Sequence, residues 1–456
     1  MAVAAAVDVA GARGRVLELV REHGWNATSF QTLEEGYEYF FTADGCVAYV
    51  DTGAAWVAAG APIAPSSAIA QVLEAFLAAA RGAERRACLF ATEERLLELC
   101  GERLRSLRIG EQPVWDPREW SAILRRRRSL REQLRRARAK GVAVREVAAS
   151  ELDGGLTRAA IARLAERWLR SRHLAPMEFL VRVELFSFTA DRRCFVAERD
   201  GQIVGVAGVV PVPARGGWFI EDVLRDPQAP NGTPELLIDA VMTWASERGV
   251  TWLTLGLAPL AGDVSPLLRA ARRSGALLYD FRGVRSYKAK LEPERWLPIF
   301  LSYPPSQGSA RSLVDALWAF TRTGFFSFGW RTLSRGPVVV LRALALLLVP
   351  WTLLLALAPA ERWFGSAWLK WSWVTFDIVV AAGLFRFLHK RATSSLTALA
   401  IAVTCDAVLT PIQALVWNLP RARHALDYVL IVVGCLAPLV ASVALWGARR
   451  FRLDSA

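Results

Sequence analysis

Hydrophobic and polar positions follow two different rules along this chain, and the change falls near residue 338. Before it, apolar runs are short, alternate with polar residues and are broken by Asp-Gly, Pro and Gly. That is the pattern of half-buried strands and amphipathic helices. Two hairpin signals stand 156 residues apart. In Glu38–Val50 an apolar strand meets Asp44-Gly45 and returns as CVAYV; in Cys194–Val210 CFVAER meets Asp200-Gly201 and returns as QIVGVAGVV. Asp-Gly between alternating apolar runs predicts a type I′ turn in each. Each hairpin is followed by another strand (AAWVAAG; GGWFIEDVL), an amphipathic helix (Ser67–Arg81; Pro234–Arg248) and a further strand (ACLFAT; WLTLGL). The same order occurring twice predicts two similar α/β units rather than one large sheet.

Beyond residue 338 the rule is continuous apolarity. Runs at Val338–Ala358, Trp368–Leu388, Leu396–Trp417 and Asp427–Trp446 each approach the ~20 residues a helix needs to cross a bilayer. Tryptophans at 351, 363, 368, 371, 373, 417 and 446 mostly gather near the ends of these runs, as an interfacial belt requires. Arg331, Arg335, Arg342, Arg386, Lys390, Arg391, Arg449, Arg450 and Arg452 flank one side, and only Arg362, Lys370, Arg421 and Arg423 the other. The positive-inside rule then places both termini in the cytoplasm. Asp377 and Asp406 fall inside the second and third runs, where an ionisable group needs a partner or a wet cavity. A buried pair, an Asp-to-Arg contact and a polar path for a head group or ion all satisfy that requirement.

Composition agrees with a membrane part, since 53% of residues are hydrophobic and mean hydropathy is +0.26. The net charge of +13 is unevenly placed, with eleven cations and two carboxylates between Arg118 and Arg145 alone. There RRRRSLREQLRRARAKG reads as a helix ending at Gly141, with Arg128, Arg131, Arg135 and Arg138 on one stripe and Ile123, Leu130, Leu134 and Ala137 on a neighbouring one. Such a face is either simply solvated or binds a polyanion, RNA phosphates or anionic lipid head groups. Six scattered cysteines without a CxxC pair, and four histidines, speak against a zinc site or disulfide framework. No metal or cofactor is expected, and His23 and His173 read as surface or packing residues. The N-terminal MAVAAAVDVAGARGR has Asp8 inside its apolar run and no basic region before it, so it does not read as a signal peptide.

The densest chemistry lies between Trp218 and Gly262. Glu221, Asp222 and Arg225 end a strand, a turn holds Asn231 and Gly232, and Glu235 falls in the first turn of the next helix. Charges at a strand end beside a helix N-terminus suit an anionic ligand, though a salt bridge closing the loop would use the same residues. Strand alternation sends Glu221 and Asp222 to opposite faces, and Asp222 is the preferred base, paired with Lys288 or Lys290. Binding of coenzyme A would call for a glycine-rich loop of backbone N–H groups, whereas RDPQAPNGTPE carries Pro227, Pro230 and Pro234.

The segments APNGTPELL, LGLAPL, LRxxxxRAxxKG (Leu130 to Gly141), Trp168-Leu169 and RSYKAKLEPERW (Arg285 to Trp296) occur in an order that resembles the catalytic domain of phosphatidylglycerol lysyltransferases, over roughly residues 30–304. The resemblance implies a tandem GNAT-type α/β fold, followed here by an all-α four-helix transmembrane bundle. It implies transfer of an aminoacyl group from aminoacyl-tRNA to a lipid hydroxyl, such as that of phosphatidylglycerol, at the inner membrane. Asp222, Glu221, Arg225 and Lys288 are then the catalytic candidates. Asn231, Gly232, Glu235, Arg285, Tyr287 and Lys290 are the substrate-binding ones, and Arg128, Arg131, Arg135 and Arg138 would hold tRNA or anionic lipid. The expected organisation is a first unit at 1–117, a basic linking helix at 118–150 and a second unit carrying the site at 151–305. A juxtamembrane linker at 306–337, the bundle at 338–448 and a basic tail at 449–456 complete it. The first unit, whose AAWVAAGAPIAP lacks charged side chains, is expected to support or dock substrate. An acyl-CoA-dependent acyltransferase and a non-catalytic tRNA- or lipid-binding protein are the alternatives. Well-known members place a large flippase bundle before the catalytic part, so lipid flipping is not carried over to this chain.

Overall fold

The computed structural model describes residues 9–172, 179–275, 280–321, 325–333, 338–390 and 394–453. His173, Arg335, Arg391 and Met1 to Asp8 lie outside the described residues. The chain forms two compact units, an α/β unit of Met1–Leu169 and Pro176–Gly324 and a helical unit of Arg170–Ala175 and Phe325–Ala456.

The α/β unit is built on twelve strands: β1 (Glu38–Phe41), β2 (Cys46–Asp51), β3 (Ala55–Ala59), β4 (Arg86–Thr92), β5 (Arg105–Trp115), β6 (Ala143–Val147), β7 (Arg193–Arg199), β8 (Gln202–Val212), β9 (Gly217–Arg225), β10 (Leu253–Thr254), β11 (Ala258–Pro259) and β12 (Arg295–Tyr303). The predicted order recurs in each half. An antiparallel hairpin and a third strand lead through a helix, Ile69–Gly82 or Thr233–Glu247, to a parallel neighbour, β4 beside β3 and β10 beside β9. The expectation of two separate sheets fails. All twelve strands form one sheet, in the order β1-β2-β3-β4-β12-β5-β10-β9-β8-β7-β6, with β11 also on β5. The join is made by β5, paired to β12 from Arg105 to Val114 and to β10 at Val114 and Trp115. Closing two halves through a shared strand leaves no open edge between them, which an isolated half would expose.

The hairpins also differ from each other. Between β7 and β8, Asp200 and Gly201 have φ of 50° and 72°, the two left-handed residues that a type I′ turn requires. Between β1 and β2 the connection is a four-residue loop, Thr42–Gly45, closed by Thr42 N–H donating to the Gly45 carbonyl at 2.9 Å. Gly45 serves close approach instead: a Cβ there would stand 2.5 Å from the Ile63 carbonyl oxygen.

Four helices of the helical unit, Val338–Leu357, Ala367–Lys390, Ser394–Gln413 and Ala425–Leu453, fall on the four apolar runs and are long and apolar enough to cross a membrane. Leu384, Phe387, Leu396, Ala400, Ala444 and Leu445 form their common core, while Leu346, Leu347, Leu353 and Val379 point outward, each at least 60% exposed. Asp377 is buried and its Oδ2 has no hydrogen-bond donor, and Asp406 accepts from Thr410 at 2.6 Å. Among the described residues neither carboxylate has an Arg or Lys partner.

Candidate active site in the second half of the sheet

Parallel strands β3 and β4 stay in register over five residue pairs, Ala55–Ala59 against Arg86–Phe90. Their counterparts β9 and β10 pair only at Trp218–Leu253 and Phe219–Thr254, then part. A central strand is normally covered on both edges, yet Glu221, Asp222 and Val223 as whole residues are half-buried between buried Ile220 and Leu224, although the Glu221 side chain itself is almost fully enclosed. The sheet is therefore open at one place, beside the strand end that carries the charges.

A β-bulge sits at that place. Gly208 of β8 faces Asp222 and the next residue, Val209, faces Ile220, so Glu221 is extra. The bulge overturns the simple alternation of Glu221 and Asp222, because an extra residue shifts the side-chain period. Glu221 Oε2 accepts from Arg192 at 2.5 Å, in a pair whose side chains are 1% and 2% exposed. Glu34, from the turn of 3-10 helix before β1, is 2% exposed and joins them. Both its carboxylate oxygens, Oε1 of Glu221 and Oδ2 of Asp222 have no donor. Three carboxylates thus crowd one buried guanidinium. Burial, then the charge of Glu221, pushes Glu34 up to about 10, and the same two causes raise Asp222 above the usual carboxylate range. Gly208 makes the space, since a Cβ there would meet Leu185 at 2.8 Å and Arg192 at 3.9 Å.

The opposite face of β9 carries a second group. Leu224 packs with Val147, Leu152 and Ile161, whereas Val223 packs on the core beneath the helix Thr233–Glu247. Arg225, two residues on from Val223, therefore shares that helix's side. Glu235 in the helix's first turn is buried and pairs with Lys290 at 3.6 Å. The Tyr287 hydroxyl is buried without a hydrogen-bond partner, and burial, then Glu235, raises it while Arg225 opposes. Arg225, Glu235, Tyr287 and Lys290 thus gather around one helix N-terminus, with Asn231 exposed beside them.

Other expected members lie elsewhere. Lys288 meets no carboxylate: its Nζ donates to the carbonyls of Leu255, Gly256 and Leu257 at 2.7, 2.8 and 2.9 Å, holding the chain that has left β9. The expected Asp222–Lys288 pair is absent because buried Lys288 satisfies those carbonyls, and Lys290 is taken by Glu235. Burial pulls Lys288 down to about 7, while three acceptors favour the ammonium, since a neutral amine has only two N–H groups to give. Arg285 is held by Glu111 at 2.8 Å and lies over the Trp296 ring. Gly232, with φ of 95°, is a packing residue, because a Cβ there would come 2.7 Å from the Gln133 carbonyl oxygen of the basic helix.

That basic helix is two, Trp120–Arg126 and Arg128–Ala139, broken at Arg127. Ile123, Leu130, Leu134 and Ala137 are all buried against the helix Thr233–Glu247. The cationic stripe is partly consumed by the fold. Arg138 binds buried Asp239 at 2.6 Å, and Arg131 caps the carbonyls of Leu124 and Arg125. Arg135 is exposed and pairs with Glu132 at 2.9 Å. Among the described residues Arg128, Arg136 and Lys140 are exposed cations without a hydrogen-bonded or ion-paired side chain, and of the three only Arg128 belongs to the predicted stripe.

Glu34 and Arg192 were not anticipated. Each stands beside a second charge of the same sign, Glu34-Glu35 and Arg192-Arg193, and nothing local signals which of the two meets Glu221. In the first half Asp51, at the end of β2, closes its own loop with Arg85 at 3.2 Å and the Trp56 indole at 3.2 Å.

The family described as phosphatidylglycerol lysyltransferase, C-terminal, matches residues 17–303. Among curated proteins, the lysylphosphatidylglycerol biosynthesis bifunctional protein of Nocardia farcinica is 27% identical over 315 residues, 63% of this chain and 27% of that protein. The phosphatidylglycerol lysyltransferase of Bacillus subtilis is 29% identical over 136 residues, 28% of this chain and 15% of that protein. The chain thus spans about a quarter or less of the length of these relatives. Among solved structures, a C-terminal domain (DUF2156) from Agrobacterium fabrum aligns with a TM-score of 0.59 at 22% identity, covering 68% of this chain and 96% of that one. L-PGS from Bacillus licheniformis aligns with a TM-score of 0.57 at 20% identity, covering 67% and 96%. At such identities the likeness is one of fold.

Proposed function

The chain belongs to the family described as phosphatidylglycerol lysyltransferase, C-terminal, and from that premise we propose that it is a membrane-anchored aminoacyltransferase that moves an aminoacyl group from aminoacyl-tRNA to the hydroxyl of an anionic phospholipid such as phosphatidylglycerol. The observation that carries the reading is the gap where β9 leaves β10, with an acidic cluster on one face and Arg225, Tyr287 and Lys290 on the other. A two-substrate transfer needs such a place, where donor and acceptor meet from different sides and water is kept out.

In this reading the lipid hydroxyl oxygen attacks the ester carbonyl carbon, the new ester C–O bond forms, and the bond to the terminal ribose oxygen breaks. Asp222 in its ionised form takes the proton from the attacking hydroxyl. The carboxyl cluster of Asp222, Glu221 and Glu34 returns one to the departing ribose oxygen. Arg225 holds a phosphate of lipid or tRNA, assisted by Lys290 and the N-terminus of the helix Thr233–Glu247. Tyr287 supplies an unengaged hydroxyl for the oxyanion or the aminoacyl group. The two halves of the sheet are a GNAT-type repeat in which only the second is opened. In this reading the α/β unit lies on the cytoplasmic side of the inner membrane, the side that the greater number of flanking cations favours.

An acyl-CoA donor is disfavoured by the loop before that helix. The N–H groups of Asp226, Gln228, Ala229 and Thr233 are already bonded to Val204, Asp226 or Pro230, and three prolines have none, so little remains to cradle a pyrophosphate. The test is to incubate membranes containing the protein with a mixture of charged tRNAs and to search the lipids by mass spectrometry. New amino-containing lipids are expected, and their absence for every amino acid supplied overturns the proposal.

A further inference from the structure

Large apolar side chains exposed in the α/β unit are few among the described residues: Leu156, Val181, Val314, Leu317 and Trp318. Three of the five share one helix, Ser309–Thr321, at 51%, 45% and 39% exposure. A spacing of three and four residues puts them on one stripe with exposed Arg311. The opposite face is fixed in place. Ser312, Asp315, Ala316 and Ala319 are buried, and Asp315 receives two bonds from Arg86 of β4, at 2.8 and 2.7 Å. The helix is therefore a firmly seated element whose outer surface is apolar, with an arginine toward its N-terminal end.

What covers that surface follows from where the chain goes next. Seventeen residues after Thr321 the first apolar span begins at Val338, so the helix is tethered to whatever surrounds the spans. Val, Leu and Trp beside Arg suit the boundary between head groups and acyl chains, where the indole and guanidinium reach the polar layer while the aliphatic side chains enter the apolar one. A stable protein partner would need roughly 800 Å² on each side, more than three side chains supply. We infer that the helix Ser309–Thr321 docks on the bilayer through Val314, Leu317 and Trp318, and so fixes the orientation in which the α/β unit faces the lipid. The inference does not depend on which group is transferred.

The test uses the full-length chain in nanodiscs of phosphatidylglycerol and phosphatidylcholine. Exposed Cys405 and partly exposed Cys435 are replaced by serine, while buried Cys46, Cys88, Cys100 and Cys194 stay. An environment-sensitive fluorophore is then attached at Val314→Cys or, as a control, at Asp200→Cys in the exposed β7–β8 turn. With nitroxide placed near the lipid head groups, the label at 314 is expected to be quenched several-fold more than the label at 200. Leu317→Glu is expected to remove most of that difference with the melting temperature unchanged. Equal quenching at both positions overturns the inference. So does a label at 314 shielded without quenching in a concentration-dependent way, which would mean a second copy covers the face.

Discussion

Glu34 shows how far a residue's chemistry is set by its neighbours. Its ordinary value near 4.5 is pushed up to about 10 by burial and by Glu221, so the folded protein keeps a proton that the unfolded chain releases. Stability from that proton is complete below the unfolded value and is lost as pH rises toward the folded one. Thermal unfolding of the wild type should therefore move to lower temperature between about pH 6 and about pH 9, and Glu34→Gln should flatten that slope. An unchanged slope would show that Glu34 does not hold the proton. Asp222 and Arg225 should behave differently from Lys288. Asp222→Asn and Arg225→Ala are expected to abolish the lipid product with the melting temperature unchanged or slightly raised, because the first removes one acid from an overcrowded cluster. Lys288→Ala strips the donor from three carbonyls, at about 1–3 kcal/mol for each buried group left unpaired, so product and melting temperature should fall together.

At the scale of elements, the basic segment carries two kinds of cation, those the fold consumes and those it leaves exposed. Arg138 is bonded to Asp239, which also accepts from the Trp120 indole at 2.9 Å, so it fastens the helix to the one that opens the site. Arg138→Ala should cost stability, about 1 kcal/mol since the arginine is itself more than half exposed, and show as a lowered denaturation midpoint. Reversing Arg128, Arg136 and Lys140 to Glu should instead leave the midpoint alone. It should weaken association with tRNA or anionic vesicles, most at low salt, because each lost cation lowers the salt slope. Binding that ignores all three reversals would return the face to simple solvation. The apolar stripe was legible because helical period alone sorts Ile123, Leu130, Leu134 and Ala137. Which cations remain free was not, because Asp239 stands a hundred residues further along the chain.

For the whole molecule, the shared sheet has a direct consequence. β12 lies between β4 and β5, so a chain ending before Arg295 lacks a central strand, whereas one ending near residue 324 keeps every strand. Only the longer fragment should give a cooperative unfolding transition, measured by circular dichroism. Two kinds of information are separated here. The chain's local pattern determined what local physics controls: the twice-repeated order of hairpin, strand, helix and strand, the type I′ turn at Asp200-Gly201, the apolar face of the basic helix, and four spans whose length and apolarity match a bilayer. It also set the two halves apart, since β9 ends in charged residues and its first-half counterpart, β3, does not. Tertiary structure alone decided the rest. Whether the repeats form two sheets or one depends on β5 meeting β12 and β10, a pairing of residues far apart in sequence that no turn or period encodes. The bulge at Glu221, the parting of β9 from β10, and the meeting of Glu34, Arg192, Glu221 and Asp222 arise from the same long-range packing, because a side chain's charge and proton affinity are fixed only when distant elements exclude water around it.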